Sequence, residues 1–134
     1  MSHRLLLDTH VLVWAEEGRE LGKACRAMLL DPRSEIFVSP VTTLELARLA
    51  SLGRLVFKQS LGRWLDEARQ HLQFRDVVLS HEVAIESYAL PGEFHRDPAD
   101  RMLVATARAG GYTLVTADDL ILAYPHVEVV DARR

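Results

Sequence analysis

Short apolar runs alternate along this chain with longer stretches of helical spacing. Leu5-Leu6-Leu7 reads as a buried strand, and Asp8-Thr9-His10 followed by Val11, Leu12 and Trp14 reads as its turn into a helix. The chain therefore opens with a βα step. Gly22 to Leu30 is a second helical stretch, ended by Asp31-Pro32, and Ile36-Phe37-Val38 is a second buried strand. The spacing predicts a helix from Val41 to Leu52, with Leu44, Ala47 and Leu52 along one side and Gly53 closing it. Leu61 to Leu72 reads as helical, Phe74 to Leu79 as extended, and His81 to Leu90 as a helix stopped by Pro91-Gly92. Asp97-Pro98-Ala99-Asp100 opens a helix running to Ala109 and ended by Gly110-Gly111. Thr113-Leu114-Val115 is a strand, a short helix falls near Leu120 to Tyr124, and Val127 to Val130 is the last strand.

Strands written as continuous apolar runs between helices belong to a mostly parallel sheet covered on both faces, an α/β architecture. No linker, repeat or low-complexity segment interrupts the pattern, and 134 residues with a 49% hydrophobic fraction fit one domain spanning 1–134. Cys25 is the sole cysteine, which excludes an intramolecular disulfide and fits a reducing, cytoplasmic compartment. The apolar run that follows the first four residues is cut short by Asp8, too early for a signal peptide or membrane span.

In open parallel sheets the ligand site lies beyond the carboxyl ends of the strands, and four acids fall there. Asp8 directly follows the first strand, Glu45 lies in the first turns of the helix after the second, Asp100 starts a helix, and Asp118 follows Thr113 to Thr116. Like charges held together repel and raise one another's pKa, a penalty that a divalent cation removes. An oxygen-only donor set suits Mg²⁺ or Mn²⁺, whereas no cysteine pair or convincing histidine spacing offers a zinc site. Such an ion eases deprotonation of water and stabilises charge on a phosphodiester under attack.

Each residue also has a plainer reading. Asp8 and Asp118 are in place to cap the helices that follow them, with Asp119 as an exposed first-turn acid, and Glu45 taken alone fits a solvated helix position. In Asp97-Pro98-Ala99-Asp100 the division is sharper. Asp97 is the N-cap, Pro98 the first helical residue, and Asp100 shares the core-facing stripe of Leu103 and Val104, which brings it to the sheet edge beside Asp8. Thr116 either hydrogen-bonds a ligand or neighbouring carboxylate, or merely ends a strand. His10 and His95 fall near the same edge but are assigned no catalytic role, and Trp14 and Trp64 fit apolar helix faces. The net charge of -3 argues against a protein that coats nucleic acid, yet leaves room for an acidic site with a local basic rim.

Four segments together resemble the successive motifs of PIN domains, specifically the VapC-like toxins of type II toxin-antitoxin systems. They are Leu-Leu-Leu-Asp-Thr-His-Val-Leu-Val-Trp at 5 to 14, Ser-Pro-Val-Thr-Thr-Leu-Glu-Leu-Ala at 39 to 47, His-Arg-Asp-Pro-Ala-Asp-Arg-Met-Leu-Val-Ala-Thr-Ala at 95 to 107, and Leu-Val-Thr-Ala-Asp-Asp at 114 to 119. The resemblance implies a three-layer PIN-like fold and a Mg²⁺- or Mn²⁺-dependent endoribonuclease that cleaves tRNA, rRNA or mRNA. It implies a homodimer, and a partner antitoxin whose C-terminal segment inhibits the toxin. Asp8, Glu45, Asp100 and Asp118 match the family's metal-binding acids, and Asp97 an additional acid of the subgroup with His-Arg-Asp-Pro-x-Asp-Arg. Asp97, Thr116 and Asp119 are secondary metal candidates. The chain departs from the subgroup at Leu44, where an aromatic residue often precedes the glutamate, and at 48–51, where the family frequently carries a lysine.

Because a polyanion needs compensation to approach a carboxylate cluster, Arg48, Arg54, Lys58 and Arg101 are the candidate RNA-facing cations. Two other readings compete. An aspartate-based phosphoryl-transfer enzyme also places an acid after the first strand, but His10 stands where a dehalogenase-like phosphatase needs its second aspartate, and no lysine follows Lys58 to serve a receiver domain. The other is a PIN-like module without turnover that serves only in protein association.

Overall fold

The computed structural model describes residues 3–134. Five strands form one sheet: β1 (His3–Leu7), β2 (Ser34–Val38), β3 (Arg75–Asp76), β4 (Thr113–Thr116) and β5 (Val129–Asp131). Their order is β3-β2-β1-β4-β5 and every neighbouring pair is parallel. Each parallel pair needs a crossover, and the helices supply it: α1 (Thr9–Glu17), α2 (Lys23–Leu30), α3 (Pro40–Ser51), α4 (Leu61–Leu72), α5 (His81–Glu86), α6 (Pro98–Gly110) and α7 (Asp119–Leu122). None of the helices described is long and apolar enough to cross a membrane.

Strand pleating divides the apolar runs between two cores. Leu5 and Leu7 of β1, Ile36 and Val38 of β2, and Val115 of β4 point into a cluster with Val11, Leu12, Leu46 and Trp64. Leu6, Phe37 and Leu114, the residues between them, point into a second cluster with Leu103, Val104, Ile121 and Tyr124. Helices therefore cover both faces, in the three layers of the α/β class. At about 25 cal/mol per Å² of apolar surface removed from water, burying each of these leucines stabilises the fold by roughly 2 kcal/mol. That is why the buried stretches of the central strands, Leu5–Leu7, Ile36–Val38 and Leu114–Val115, are apolar.

The helix ends follow the capping chemistry of the sequence. Ser39 accepts from the Val41 N–H at 3.1 Å with Pro40 in the first turn, and Asp97 accepts from the Asp100 N–H at 3.0 Å ahead of Pro98. Gly111 closes α6 at φ +68°, a left-handed conformation that costs glycine little.

Four expectations are corrected. The buried side of α3 is Val41, Thr42, Leu46 and Leu49, whereas Leu44, Ala47 and Leu52 face outward. The helix carries two apolar stripes, and the inner one is disguised by Thr42, whose hydroxyl lies 3.4 Å from the Leu7 carbonyl. The extended segment at 74–79 pairs only over Arg75–Asp76, because Val78 is 80% exposed and has no strand to lie against. The helix begun at His81 stops at Glu86, where the Ser87 carbonyl is taken by Arg101. The last strand sits at Val129–Asp131 rather than 127–130, its register fixed by Val130 lying against Val115.

Candidate active site

The carboxyl ends of β1 and β4 lie side by side at the middle of the sheet, and a cleft of about 330 Å³ opens there. Asp8, Glu45, Asp97, Asp100 and Asp118 all line it, together with His10 and Trp14. The four principal acids thus come together from four separate segments, with Asp97 as a fifth at the margin.

Asp8 sits at the turn from β1 into α1 and does two things. Its Oδ1 caps α1 by accepting the Thr9 N–H at 2.7 Å, and its Oδ2 accepts the Thr116 hydroxyl at 2.7 Å. Capping and a place in the cleft, which sequence left as alternatives, coexist in one side chain. Burial pushes the Asp8 carboxyl up and the charge of Asp118 adds to this, while the bonds from Thr116 and Thr9 pull it back down. Thr116 is fully buried at the end of β4, and its Oγ1 also accepts the Asp118 N–H at 3.0 Å. A single hydroxyl therefore ties the first and last acids together. Asp118 in turn caps α7, its Oδ1 accepting from the N–H groups of Leu120 and Ile121.

Asp100 is a second strongly perturbed group of the cleft. It lies one turn before Leu103 and Val104, both buried, so its carboxylate emerges from the core-facing stripe of α6. Burial and, after it, the charges of Asp8, Asp97, Asp118 and Glu45 push it up to about 8. A carboxylate that is nearly neutralised at ordinary pH marks a place where positive charge is missing. Asp97 is engaged by its cap and stands more exposed.

Glu45 projects from α3 on the cleft side, its side chain 23% exposed, and Arg48 grips it through two bonds of 2.9 and 3.1 Å. Arg48 is consequently the basic candidate that stands beside the acids. Arg54 and Lys58 are exposed beyond α3, and Lys58 lines a different groove with Glu16 and Glu17. Arg101 departs from the expected RNA-facing role. Its guanidinium turns inward, donates to the carbonyls of Ser87 and Phe94 at 3.0 Å each, and stacks 5.1 Å from the Tyr88 ring. Asp119 points away, 82% exposed and paired with Arg133 at 2.8 Å.

Two aromatic side chains have positions that the sequence reading undervalued. Trp14 packs against the core as expected but also lines the cleft, 6.2 Å from the His10 ring. His95 touches Asp100, its Nε2 3.1 Å from Oδ2. The proximity of His95 to Asp97-Pro98-Ala99-Asp100 in sequence was the available signal, and a lone histidine in a loop did not carry it.

Among the described residues no three acids or histidines converge tightly enough to cage an ion unaided. The donor set nevertheless fits Mg²⁺ or Mn²⁺, because the oxygens are hard, burial and the neighbouring acids push Asp100 up in a way that a cation would offset, and such ions keep several waters of their own.

The chain is 34% identical over 123 residues to ribonuclease VapC22 of Mycobacterium tuberculosis strain H37Rv, a match covering 91% of this chain and 92% of that protein. Its fold is similar to that in the crystal structure of VapBC2 from Rickettsia felis bound to a promoter DNA fragment, with TM-score 0.69 at 17% identity over 95% of this chain and 97% of that one. It is also similar to FitAcB from Neisseria gonorrhoeae, with TM-score 0.59 at 25% identity over 96% and 97% of the two chains. Residues 5–126 match the family of the PIN domain, and the chain belongs to that family.

Proposed function

We propose that this protein is a metal-dependent endoribonuclease and the toxin of a toxin-antitoxin pair, acting in the cytoplasm. The observation that carries the reading is the meeting of Asp8, Glu45, Asp100 and Asp118 in one cleft of a chain 34% identical to a protein named as a ribonuclease. Asp8, Asp100 and Asp118 would hold a Mg²⁺ or Mn²⁺ ion, with Glu45 in reach and Asp97 and Thr116 in support. When bound, the ion supplies positive charge that eases deprotonation of water and offsets the charge that builds on phosphorus.

The chain's own residues prepare that chemistry. Thr9 and Thr116 fix both oxygens of Asp8, and the α7 N-terminus fixes one oxygen of Asp118, so these carboxylates lose little freedom when they engage a cation. Trp14 walls the cleft with an apolar face that limits water. Arg48 holds Glu45 in its rotamer and puts a guanidinium where a phosphate can approach, with Arg54 and Lys58 in the segment after α3 as weaker candidates.

The partner follows from the same charge logic and from the similar structures, one of which is described as a toxin-antitoxin complex from Klebsiella pneumoniae. An antitoxin that places an arginine or lysine among these carboxylates would supply the positive charge that Asp100 lacks and close the cleft. The test is incubation of the purified protein with structured RNA in Mg²⁺ or Mn²⁺ and in EDTA, beside an Asp100→Asn control. Cleavage by the parent with metal alone is the expected result. Equal cleavage by parent and control, or none by the parent in either metal, would overturn the reading and leave a protein-association module.

A further inference from the structure

His95 lies in the loop before α6 and is not among the acids of the cleft, yet its Nε2 stands 3.1 Å from Asp100 Oδ2. The two are close enough to hydrogen-bond but not aligned, and Nε2 is the sole buried side-chain nitrogen or oxygen among the described residues that lacks a hydrogen-bond partner. Buried polar atoms in folded proteins are satisfied, and the acceptor within reach of this one is the Asp100 carboxylate. The imidazole is itself braced. Its ring packs 4.4 Å from the Phe94 ring, which packs 4.8 Å from Tyr124, and the Tyr124 hydroxyl donates to the Pro91 carbonyl at the start of the same loop. From the other side Arg101 holds the Phe94 carbonyl at 3.0 Å. A loop this heavily tied is built to hold something still, and the residue at its inner end is His95.

We propose that His95 is a positioning residue for Asp100: its braced imidazole occupies Oδ2 and leaves Oδ1 to the cation of the acid cleft. The assignment rests on the reading of that cleft as a cation site. It accounts for two features that the acids alone leave unexplained, the inward turn of Arg101 and the buried nitrogen at the edge of a charged cleft. It also leaves His95 outside the coordination set, holding a ligand and not the cation.

The test is Mn²⁺ binding to the full chain without RNA, by isothermal titration calorimetry, for the parent, Asp100→Asn, His95→Phe and His95→Gln. His95→Phe keeps the stack on Phe94 and removes the nitrogen, so Mn²⁺ should bind about 10- to 100-fold more weakly, the usual loss when a group that orients a ligand is removed. Its metal-free melting temperature should be no lower than the parent's. His95→Gln, which returns an N–H donor near the same place, should recover most of the loss. A role in packing alone predicts the reverse order, with the phenylalanine variant tolerated and the glutamine variant not. Should His95→Phe fail to fold, His95→Leu takes its place in the comparison. Parent-like Mn²⁺ binding in His95→Phe, or no recovery in His95→Gln, overturns the assignment of His95 alone. Equal binding by the parent and Asp100→Asn overturns the cation site, and His95 with it.

Discussion

Replacing Asp100 by asparagine should stabilise the metal-free protein while abolishing its metal-dependent cleavage. The carboxyl of Asp100 is raised from its ordinary 3.8 to about 8, by burial first and then by the charges of Asp8, Asp97, Asp118 and Glu45. Below about pH 4 the folded and the unfolded chain both hold this proton, and nothing is lost on folding. Between about 4 and 8 only the folded chain holds it, so unfolding releases a proton and stability falls as the pH rises. Some three pH units of that interval lie below pH 7, and at 1.36 kcal/mol for each they set an upper bound of about 4 kcal/mol. Relaxation of the cleft and entry of water reduce this, and we expect about 2 kcal/mol. Asparagine keeps the size of the side chain and never carries the charge. With an unfolding entropy of about 0.28 kcal/mol/K for 134 residues, the gain is about 7 °C in Tm at pH 7. Thermal unfolding in EDTA from pH 5 to pH 8 is the assay. The parent should lose stability across the range and the variant should lose much less, so that the two curves converge toward pH 5. Parallel curves would mean that the Asp100 carboxyl is not raised in the folded protein, and the electrostatic argument for a cation in this cleft would go with it.

Four further outcomes follow from the contacts around the cleft. Asp97→Ala removes the cap on α6 and should cost about 1 kcal/mol in urea unfolding with a smaller loss of cleavage than Asp100→Asn; equal inactivity at unchanged stability would move Asp97 into the ligand set. Thr116→Val strips Asp8 of its hydroxyl donor and the Asp118 N–H of its acceptor, and should cost about 1–3 kcal/mol together with weaker Mn²⁺ binding; an unchanged calorimetric isotherm would show that this tie is only structural. Arg48→Glu or Lys58→Glu, each in an Asp100→Asn background, should lower the slope of log affinity for RNA against log salt by about 1 if the residue meets a phosphate; an unchanged slope removes that residue from the RNA path. Arg101→Leu should behave differently, lowering stability by about 2–3 kcal/mol through loss of the Ser87 and Phe94 carbonyl contacts while leaving the salt slope alone.

What the sequence revealed and what it hid have a common physical origin. Buried parallel strands must be apolar throughout, so Leu5–Leu7, Ile36–Val38 and Thr113–Val115 were legible as strands without knowledge of their neighbours. Caps are local, so Asp97 with Pro98 and Ser39 with Pro40 announced their helices. The inner side of α3 was not legible, because two apolar stripes compete on one helix and the choice between them is made by what the helix packs on. A polar Thr42 inside and an apolar Leu44 outside are decisions of the tertiary structure. The gathering of Asp8, Glu45, Asp100 and Asp118 in one cleft followed from their places at strand and helix ends. Whether Asp8 and Asp118 cap a helix or face the cleft was a false choice, since a carboxylate has two oxygens and the structure uses them separately. Arg101 misled because charge shows in a sequence and direction does not.

The strand order β3-β2-β1-β4-β5 also bears on how the protein comes into being. β1 sits at the centre, and the partner on one of its flanks is β4, which begins only at Thr113, far along the chain from β1. Until that strand has left the ribosome, Leu6 and Leu7 have no neighbour on that side, Asp8 lacks the Thr116 hydroxyl, and Asp118 does not yet exist. A growing chain therefore carries Asp8 and Glu45 without a complete acid cleft until Asp118 has been made. The order of assembly thus makes the acid cleft a late product of folding, complete only when β4 has docked on β1 and brought Thr116 and Asp118 beside Asp8.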